Sequence, residues 1–341
     1  AGGAYVPLDP SHPIQRQQEV VRQTMAKLAL ASSTNASMCS SLGMEVVEVT
    51  AALGDLNKAS SINGSTTVTQ VPSSASGLSA RNAAYVLFTS GSTGAPKGVV
   101  IEHGSLCASQ TAVSKKLGMN PDTRMLQFSS YVFDACITEA IATLISGGCL
   151  CVPSDHVRMN SLAEYITAMD INWALLTPSF IRTLNPEQVP SLEVLLLGGE
   201  ATGQDILDTW FGKVRLVNCW GPVEICVMSA FHVWESAEES PLTIGRPVGS
   251  YCWIVDPEDP HRLAPIGCVG EVLIQGPTLF REYLSNVEKT NQSVISPLPE
   301  WVPQQAREKF SRSYKTGDLA VYNPDGTIKF VGRKDTQVKS V

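Results

Sequence analysis

Short apolar runs alternate with longer mixed runs from about residue 84 to residue 217. The short runs are rich in Val, Ile and Leu and predict buried strands; they lie at residues 84–88, 99–101, 124–128, 149–152, 173–176, 194–197 and 214–217. The longer runs between them predict helices at residues 105–116, 137–146, 161–168, 180–184 and 203–211. Alternation of strands and helices at this spacing predicts parallel sheets that are covered by helices.

The pattern changes after about residue 240. Short β-type runs separated by Gly and Pro predict an antiparallel, barrel-like part; these runs lie at residues 253–256, 271–275, 319–322 and 328–331. Between the last two, Asn323-Pro-Asp-Gly326 predicts a tight hairpin turn. Residues 54–82 are rich in Ser, Thr, Asn and Gly, and they predict an exposed, mobile connection. The chain therefore divides into an α/β part, 1–239, and a β part, 240–334.

Composition excludes several classes of function. The 341 residues carry a net charge of −7, which argues against a nucleic-acid partner because no basic stripe is available. No apolar run reaches the roughly 18 residues of a membrane-spanning helix, and the N-terminus lacks the pattern of a secretory signal. We therefore expect a cytoplasmic protein with no membrane partner. The nine cysteines form no CxxC pair and the five histidines lack metal-site spacing, so neither zinc chemistry nor a histidine-based triad is indicated.

One segment combines hydroxyls, glycines and a lysine between two strand-like runs. It reads TSGSTGAPKG, and its candidate phosphate-binding residues are Thr89, Ser90, Gly91, Ser92, Thr93, Gly94 and Lys97. Glycines let consecutive backbone N–H groups point at one anion, and lysine supplies a mobile positive charge. The P-loop of nucleotide kinases is the rival interpretation. It fails because Pro96 replaces the second glycine and Gly98 stands where a hydroxyl should follow the lysine.

This segment resembles the phosphate-binding signature of the adenylate-forming superfamily, which includes acyl-CoA synthetases, luciferase and the amino-acid adenylation domains of non-ribosomal peptide synthetases. Five further segments resemble that family in its order: AGGAYVPLDP (1–10), FDACITE (133–139), NCWGPVE (218–224), YKTGDLA (314–320) and GRKDTQVKSV (332–341). The first of them is especially similar to peptide-synthetase adenylation domains.

The resemblance implies the fold of the family's large N-terminal domain. That fold has two α/β subdomains with parallel-rich sheets and a distorted antiparallel β-barrel. We expect this chain to be a fragment, with the first α/β segment and the small C-terminal domain lying outside it. Residues 335–341 would be the hinge and the start of the small domain, with Asp335 as the hinge residue.

The resemblance also implies an ATP site in which Lys97 and Glu224 are the catalytic residues. Lys97 would contact the β- and γ-phosphates, and Glu224 would bind Mg²⁺, which prefers hard carboxylate oxygens. Asp318 would accept hydrogen bonds from the two ribose hydroxyls, since its carboxylate offers two acceptor oxygens, and Arg333 would contact the ribose. The remaining residues implied for the ATP and AMP site are Gly199, Glu200, Trp220 and Gly221.

Three positions depart from the family pattern. Trp220 replaces the usual tyrosine that stacks on adenine, which keeps an aromatic face but loses the phenolic hydroxyl. Val223 replaces a threonine that contacts the α-phosphate, and valine has no donor. Glu282 replaces a glycine in the run Phe280–Leu284, so a local change of the backbone is expected there.

Asp134 resembles the aspartate with which amino-acid-activating members bind the α-ammonium group of their substrate. Its presence favours an α-amino acid over a fatty or aryl acid. The other pocket positions implied by the motifs are uncharged, and they are Ala135, Thr138, Leu175, Leu196, Gly198, Cys219, Val227 and Met228. A neutral and roomy pocket predicts a bulky hydrophobic side chain, with aromatic ahead of branched aliphatic.

The leading hypothesis is ATP-dependent activation of an α-amino acid as its aminoacyl-AMP, with release of pyrophosphate. The expected cofactors are ATP and Mg²⁺, and the acceptor would be the phosphopantetheinyl thiol of a carrier protein, with condensation domains as further partners. An acyl- or aryl-acid:CoA ligase is the alternative enzyme. A nucleotide-binding but inactive fragment is the third hypothesis, because Val223 and Glu282 depart from the pattern.

Overall fold

The computed structural model describes residues 3–50, 77–89 and 96–334. Their strands form a two-stranded sheet near the N-terminus, a three-stranded sheet, and a mixed sheet of twelve strands. Most of the predicted connection, residues 54–76, lies outside the described residues. No helix in the described ranges combines the length and the apolar character needed to cross a membrane.

The N-terminal region forms two helix and strand pairs that the sequence analysis did not assign. They are α1 (Ile14–Thr24), β1 (Leu28–Ala31), α2 (Ser33–Ser41) and β2 (Glu45–Glu48), and the two strands are parallel. Helix α1 lies against the hairpin that carries the glycine-rich segment. Gln23 Nε2 donates a hydrogen bond to the carbonyl of Pro96, within that segment, at 3.1 Å.

The three-stranded sheet is antiparallel and consists of β3 (Ala83–Thr89), β4 (Lys97–Glu102) and the short β14 (Glu282–Tyr283). β3 and β4 pair as far as Thr89 and Lys97, so the glycine-rich segment is the connection at the end of this hairpin. In β14, Glu282 lies opposite Val100 with regular pairing, so the backbone change expected at Glu282 does not occur in this strand. Helix α3 (His103–Leu117) follows β4 directly.

Five strands of the large sheet are parallel, as the sequence predicts. In spatial order they are β6 (Cys149–Cys151), β5 (Arg124–Leu126), β7 (Trp173–Leu176), β8 (Val194–Leu197) and β9 (Arg215–Trp220). The connecting helical segments are α4 (Ala135–Ile137), a π-helical turn (Thr138–Ala142), α5 (Thr143–Ile145), α6 (Asp155–Asn160), α7 (Leu162–Ala168), α8 (Pro178–Ile181), a 3₁₀ turn (Pro186–Gln188) and α9 (Gln204–Trp210).

Hydrophobic residues cover both faces of these parallel strands, because successive side chains of a strand point to opposite faces. Leu175 and Leu196 belong to one buried cluster, which also contains Tyr85 and Val99 of the three-stranded sheet. Their neighbours Leu176 and Leu195, with Leu197, belong to a second cluster on the opposite face. The three-stranded sheet is thereby fixed against one face of the parallel strands.

The remaining strands extend the same sheet in an antiparallel manner. They are β10 (Ala230–Val233), β11 (Thr243–Pro247), β12 (Tyr251–Val255), β13 (Gly270–Gln275), β15 (Val294–Ile295), β16 (Ser313–Tyr322) and β17 (Ile328–Arg333). Helix α10 (Val287–Ser293) packs against β14, β15 and β16, helix α11 (Gln304–Lys309) lies between β15 and β16 in the chain, and a 3₁₀ turn (Val223–Ile225) follows β9. The predicted hairpin turn is present, since the N–H of Gly326 donates to the carbonyl of Asn323 at 2.9 Å.

The α/β fold class is confirmed, but the described antiparallel strands form an open array rather than a closed barrel. Their order is β12, β13, β16, β17, β11, and β11 pairs with β10, which pairs with β9 of the parallel half. One continuous sheet therefore crosses the predicted boundary at residue 239, and the division into subdomains stays a prediction. β16 begins at Ser313, six residues before the predicted run, because it pairs with β13, β15 and β17 along a mostly polar sequence.

Candidate active site

A cavity of about 370 Å³ lies where the parallel and antiparallel halves of the sheet meet. This volume falls within the range of roughly 300–1,000 Å³ that is usual for small-molecule sites. Six predicted nucleotide-binding residues line it, although they come from four separate segments of the chain: Gly199, Glu200, Trp220, Gly221, Asp318 and Arg333. Eight further lining residues were not predicted: Ala201, Thr202, Asn218, Pro241, Leu242, Ile244, Phe330 and Gly332.

Asp318 is the buried carboxylate of this cavity, with its side chain 1% exposed. Arg333, its cross-strand partner on β17, approaches with Nη1 2.8 Å from Asp318 Oδ1. The indole Nε1 of Trp220 donates a hydrogen bond to the other oxygen, Oδ2, at 3.0 Å. Hydrogen bonds between side chains and backbone stabilise the same turn. Arg333 Nη1 also donates to the carbonyl of Thr316 at 3.0 Å, and the N–H of Asp318 donates to Thr316 Oγ1 at 3.0 Å.

Gly221 is required at the end of β9 because backbone lies where its side chain would be. A Cβ at this position would lie 2.1 Å from the carbonyl oxygen of Val227. Val227 itself has φ of 81°, a left-handed conformation that is rare for a β-branched residue, and Cys226 before it has φ of 62°. Ser109 Oγ stabilises this turn by donating to the carbonyl of Cys226 at 2.6 Å. The strained turn therefore brings the carbonyl of Val227 close to Gly221, a residue of the cavity wall.

Lys97 and Glu224, the two predicted catalytic residues, form an ion pair with 3.0 Å between Nζ and Oε1. Tyr283 of β14, which the sequence analysis did not single out, donates its hydroxyl hydrogen to the same Oε1 at 2.7 Å. Lys97 Nζ also lies 4.5 Å from the centre of the Tyr283 ring. The three side chains come from β4, the 3₁₀ turn and β14. In the sequence, Tyr283 is marked only by its place beside Glu282.

The electrostatics of this cluster keep Glu224 ionised. Burial by itself raises the pKa of Glu224, but the charge of Lys97 and hydrogen bonds from Tyr283 and Lys97 outweigh it and hold that pKa below its usual value. Burial, followed by the charge of Glu224, raises the pKa of Tyr283, so its hydroxyl remains a neutral donor. A buried, ionised carboxylate fits Mg²⁺, which proteins bind through one or two carboxylates together with substrate phosphates.

The predicted substrate residues also come together. Leu175, Leu196, Cys219, Val227 and Met228 belong to the buried cluster between the sheets, and Ala135 packs against it. Gly198 completes the group, since a Cβ there would lie 3.7 Å from Cys219 Cβ and 3.8 Å from Leu175 Cδ1. Cys219 lines the large cavity as well, so the predicted substrate and nucleotide residues share a wall.

Asp134 precedes α4 and is half-buried, and Thr138 lies on the π-helical turn with its side chain fully buried. A residue outside the predicted set anchors this region. Glu139, also on the π-turn and 0% exposed, accepts hydrogen bonds from the N–H groups of Phe128 and Ser129 and from Ser129 Oγ. Burial outweighs these bonds and raises the pKa of Glu139 to about 7. Glu139 thereby ties the loop after β5 to the helix that carries Asp134.

Several predicted residues fall outside the described part of the chain. Ser90, Gly91, Ser92, Thr93 and Gly94 of the glycine-rich segment are among them, and so is the hinge residue Asp335. Thr89, at the end of β3, lies opposite Lys97. Val223 begins the 3₁₀ turn and packs its side chain against the buried cluster, so its methyl groups contribute to the core where a hydroxyl was expected.

The glycine-rich hairpin and the paired Lys97 and Glu224 lie within the part of the chain that a family model matches, and Asp318 lies beyond it. A model of AMP-binding enzymes matches residues 1–284 of this chain. The chain belongs to the AMP-binding enzyme family. Its relatives include N-benzoylphenylalaninol synthetase apmA of Penicillium brevicompactum, which is 46% identical over 339 residues. Nonribosomal peptide synthetase TES of Alternaria alternata is 44% identical over 343 residues.

Both alignments cover 99% of this chain, but they span only 14% and 6% of the two relatives. The AMP-binding chain is therefore similar to one segment of much longer proteins. Among solved structures, holo-PA1221, an NRPS protein containing adenylation and PCP domains, superposes with a TM-score of 0.77 at 26% identity, covering 98% of this chain and 56% of that one. The Vibrio cholerae adenylation domain AlmE, in complex with glycyl-adenosine-5'-phosphate, shares the fold with a TM-score of 0.79 at 22% identity, over 99% of this chain and 66% of that one.

Proposed function

We propose that this AMP-binding enzyme is an amino-acid adenylation domain that activates an α-amino acid with a large hydrophobic side chain. The substrate carboxylate attacks the α-phosphorus of ATP, a bond forms between them, and the bond to pyrophosphate breaks. The thiol of a phosphopantetheinyl carrier protein then attacks the aminoacyl carbonyl, a thioester forms, and AMP leaves with the thiol proton transferred to solvent. The observation that carries the proposal is the wall shared by the cavity around Asp318 and the substrate cluster, which meet at Cys219.

Each part of the site has a task that follows from its chemistry. The face of Trp220 would support the adenine ring, and Asp318 with Arg333 would bind the ribose in the cavity. Lys97 offsets the charge of the phosphates. Glu224 would hold Mg²⁺, which when bound neutralises phosphate charge. Positioning and charge neutralisation of this kind account for most catalysis of transfer at phosphorus.

The pairing of Lys97 with Glu224 suits a site that alternates between empty and loaded states. Without nucleotide, each charge satisfies the other inside the protein. With Mg²⁺ and phosphates bound, Glu224 would hold the metal and Lys97 would offset the charge of the phosphates. The hydroxyl of Tyr283 donates to Glu224 Oε1 and so would maintain the direction of that carboxylate.

The substrate class follows from the pocket and from one relative. Asp134 supplies a negative charge at the edge of an uncharged cluster, which favours a substrate that carries an α-ammonium group. Gly198 and Ala135 leave room in that cluster. One relative, which is 46% identical, is named N-benzoylphenylalaninol synthetase apmA, and the compound in that name contains aromatic groups. We therefore rank phenylalanine-like amino acids first among the candidate substrates. Carrier and condensation domains as partners, and a location in the cytoplasm, are part of the same proposal.

Amino-acid-dependent exchange between ATP and pyrophosphate tests the function in the full-length parent. We expect exchange with one or a few bulky hydrophobic amino acids from a panel of twenty, and little with aryl acids. Asp134→Ala should abolish exchange while leaving ATP binding intact, because removing one partner of a desolvated ion pair costs about 2–5 kcal/mol. Asp122→Ala, an exposed aspartate on the loop before β5, is the matched control.

The CoA-ligase alternative makes the opposite prediction. If the wild-type parent activates the desamino analogue as well as the amino acid, Asp134 does not bind an ammonium group, and an acyl- or aryl-acid ligase becomes the better account. If ATP binds but no acid supports exchange, the binding-only hypothesis holds for this chain.

A further inference from the structure

Trp220 presents two different chemical groups to the cavity. Trp220 lines the cavity with its aromatic side chain, and its indole nitrogen donates a hydrogen bond to Asp318 Oδ2 at 3.0 Å. Trp220 ends β9 in the parallel half of the sheet, and Asp318 lies on β16 in the antiparallel half, with three strands between them. Their hydrogen bond therefore connects the parallel and antiparallel halves of the sheet across the cavity.

The hydrogen bond from Trp220 restricts the orientation of the Asp318 carboxylate. A carboxylate has about four lone-pair positions that can accept hydrogen bonds. Arg333 and Trp220 occupy one on each oxygen of Asp318, at 2.8 and 3.0 Å. The positions that remain match the two hydroxyls of a ribose in number. Held from both sides, the carboxylate has lost the freedom to rotate about its Cβ–Cγ bond before any nucleotide arrives.

We propose that the indole N–H of Trp220 is a positioning group for ribose recognition, which fixes the Asp318 carboxylate so that the enzyme distinguishes ribonucleotides from deoxyribonucleotides. The inference rests on the proposed adenylation site. It goes beyond stacking, because it assigns the nitrogen of Trp220 a role separate from its ring. A preorganised acceptor contributes more to affinity than a mobile one, since less conformational entropy is lost when the ligand binds.

The substitution Trp220→Phe separates the two roles, because phenylalanine keeps an aromatic face and lacks a donor. Affinities of ATP, 2'-deoxyATP and 3'-deoxyATP are measured by calorimetry on the full-length parent without amino acid. We expect the preference of the wild type for ATP over each deoxy analogue to fall by roughly tenfold in Trp220→Phe, which corresponds to about 1.4 kcal/mol. Trp253→Phe is the matched control, since its indole donates to the neutral amide of Gln275 at 3.1 Å, outside the cavity.

A second replacement protects the test against misfolding. Incorporation of 3-benzothienylalanine at position 220 keeps the shape of the indole and exchanges only the N–H for sulfur, and it should reduce the preference as Trp220→Phe does. An equal loss of affinity for all three nucleotides would overturn the proposal, because the ring would then act by stacking alone. A gain in ATP affinity would also overturn it, because the indole would then be competing with the ribose for Asp318.

The proposal and the adenylation function can fail separately. A ribose preference that depends on Trp220, together with no exchange for any acid, leaves the positioning role in place and removes the proposed reaction. Normal amino-acid-dependent exchange in a wild type that binds deoxyATP as tightly as ATP leaves the reaction in place and removes the role of Trp220.

Discussion

Lys97 Nζ and Glu224 Oε1 lie 3.0 Å apart, although 127 residues separate the two in the chain. The lysine begins β4, and the glutamate lies on the 3₁₀ turn after β9. Their side chains are 23% and 6% exposed, so water screens this pair only in part. The ion pair connects the hairpin of the glycine-rich segment to the turn that follows β9, so its loss should affect both folding and nucleotide binding.

Lys97→Met should destabilise the protein because it leaves Glu224 buried without its cation. Breaking a buried pair typically costs about 3–5 kcal/mol, and we expect the lower end because Lys97 is partly exposed. Urea unfolding near pH 8 measures the change. Lys115→Met, at an exposed lysine of α3, is the control and should change the free energy of unfolding little.

The same variant should show a distinctive pH dependence. In the wild type the pKa of Glu224 is lowered, so its contribution to stability is present above the unfolded pKa and disappears as pH falls through the folded one. Without Lys97, burial dominates and raises that pKa. The difference in stability between wild type and Lys97→Met should therefore shrink as the solution is acidified. A difference that is constant with pH would contradict the ionised state of Glu224.

Tyr283→Phe should raise the Mg²⁺ concentration that the full-length parent needs for pyrophosphate exchange by several-fold. The variant removes the hydroxyl that donates to Glu224 Oε1 at 2.7 Å, and a hydrogen bond to a charged group contributes about 1.5–3 kcal/mol. Exchange rates over a Mg²⁺ titration measure the shift. Tyr322→Phe, which loses a bond to the carbonyl of Cys252 at 3.0 Å, should leave the titration unchanged. If both variants respond alike, Tyr283 has no specific link to the metal.

Glu139→Gln should remove the pH dependence of the free energy of unfolding that arises from the titration of Glu139. Burial raises the folded-state pKa of Glu139 from 4.5 to about 7. A raised pKa means that the contribution to stability is fully present below pH 4.5 and is lost as pH rises through about 7. The free energy of unfolding of the wild type, relative to Glu139→Gln, should therefore fall across this window. Glu193→Gln, at an exposed glutamate, is the control and should show no such trend.

Gly221→Ala and Gly198→Ala should separate folding from substrate choice. A Cβ at Gly221 would lie 2.1 Å from the carbonyl oxygen of Val227, and a backbone atom cannot move aside as a flexible side chain can. Overpacking of this kind costs about 1–3 kcal/mol or more. A Cβ at Gly198 makes ordinary contacts of 3.5–3.8 Å with Cys219 and Leu175. We expect Gly198→Ala to fold normally and to shift exchange from aromatic towards smaller amino acids. Thermal melts and the amino-acid panel measure both effects, and an unchanged panel would place Gly198 outside the pocket.

Local patterns in the sequence were sufficient for much of the fold. The strands at 173–176 and 194–197 have the predicted bounds, because four successive apolar residues can be buried on both faces only in a covered sheet. The turn Asn323–Gly326 was predicted because its residue types have few other conformations. Six residues implied by separate motifs, from Gly199 to Arg333, were found around one cavity. In these cases the information lies within a few neighbouring positions.

Tertiary structure alone decided the contacts that join distant segments. Glu282–Tyr283 is a strand of two residues, too short for any pattern, and it exists because β4 offers a free edge. β16 runs through the polar sequence from Ser313 because its neighbours supply hydrogen bonds. The sequence predicted an aromatic face at Trp220 and a ribose carboxylate at Asp318. It could not place the indole nitrogen 3.0 Å from that carboxylate, because 98 residues separate them and only the assembled sheet brings them together.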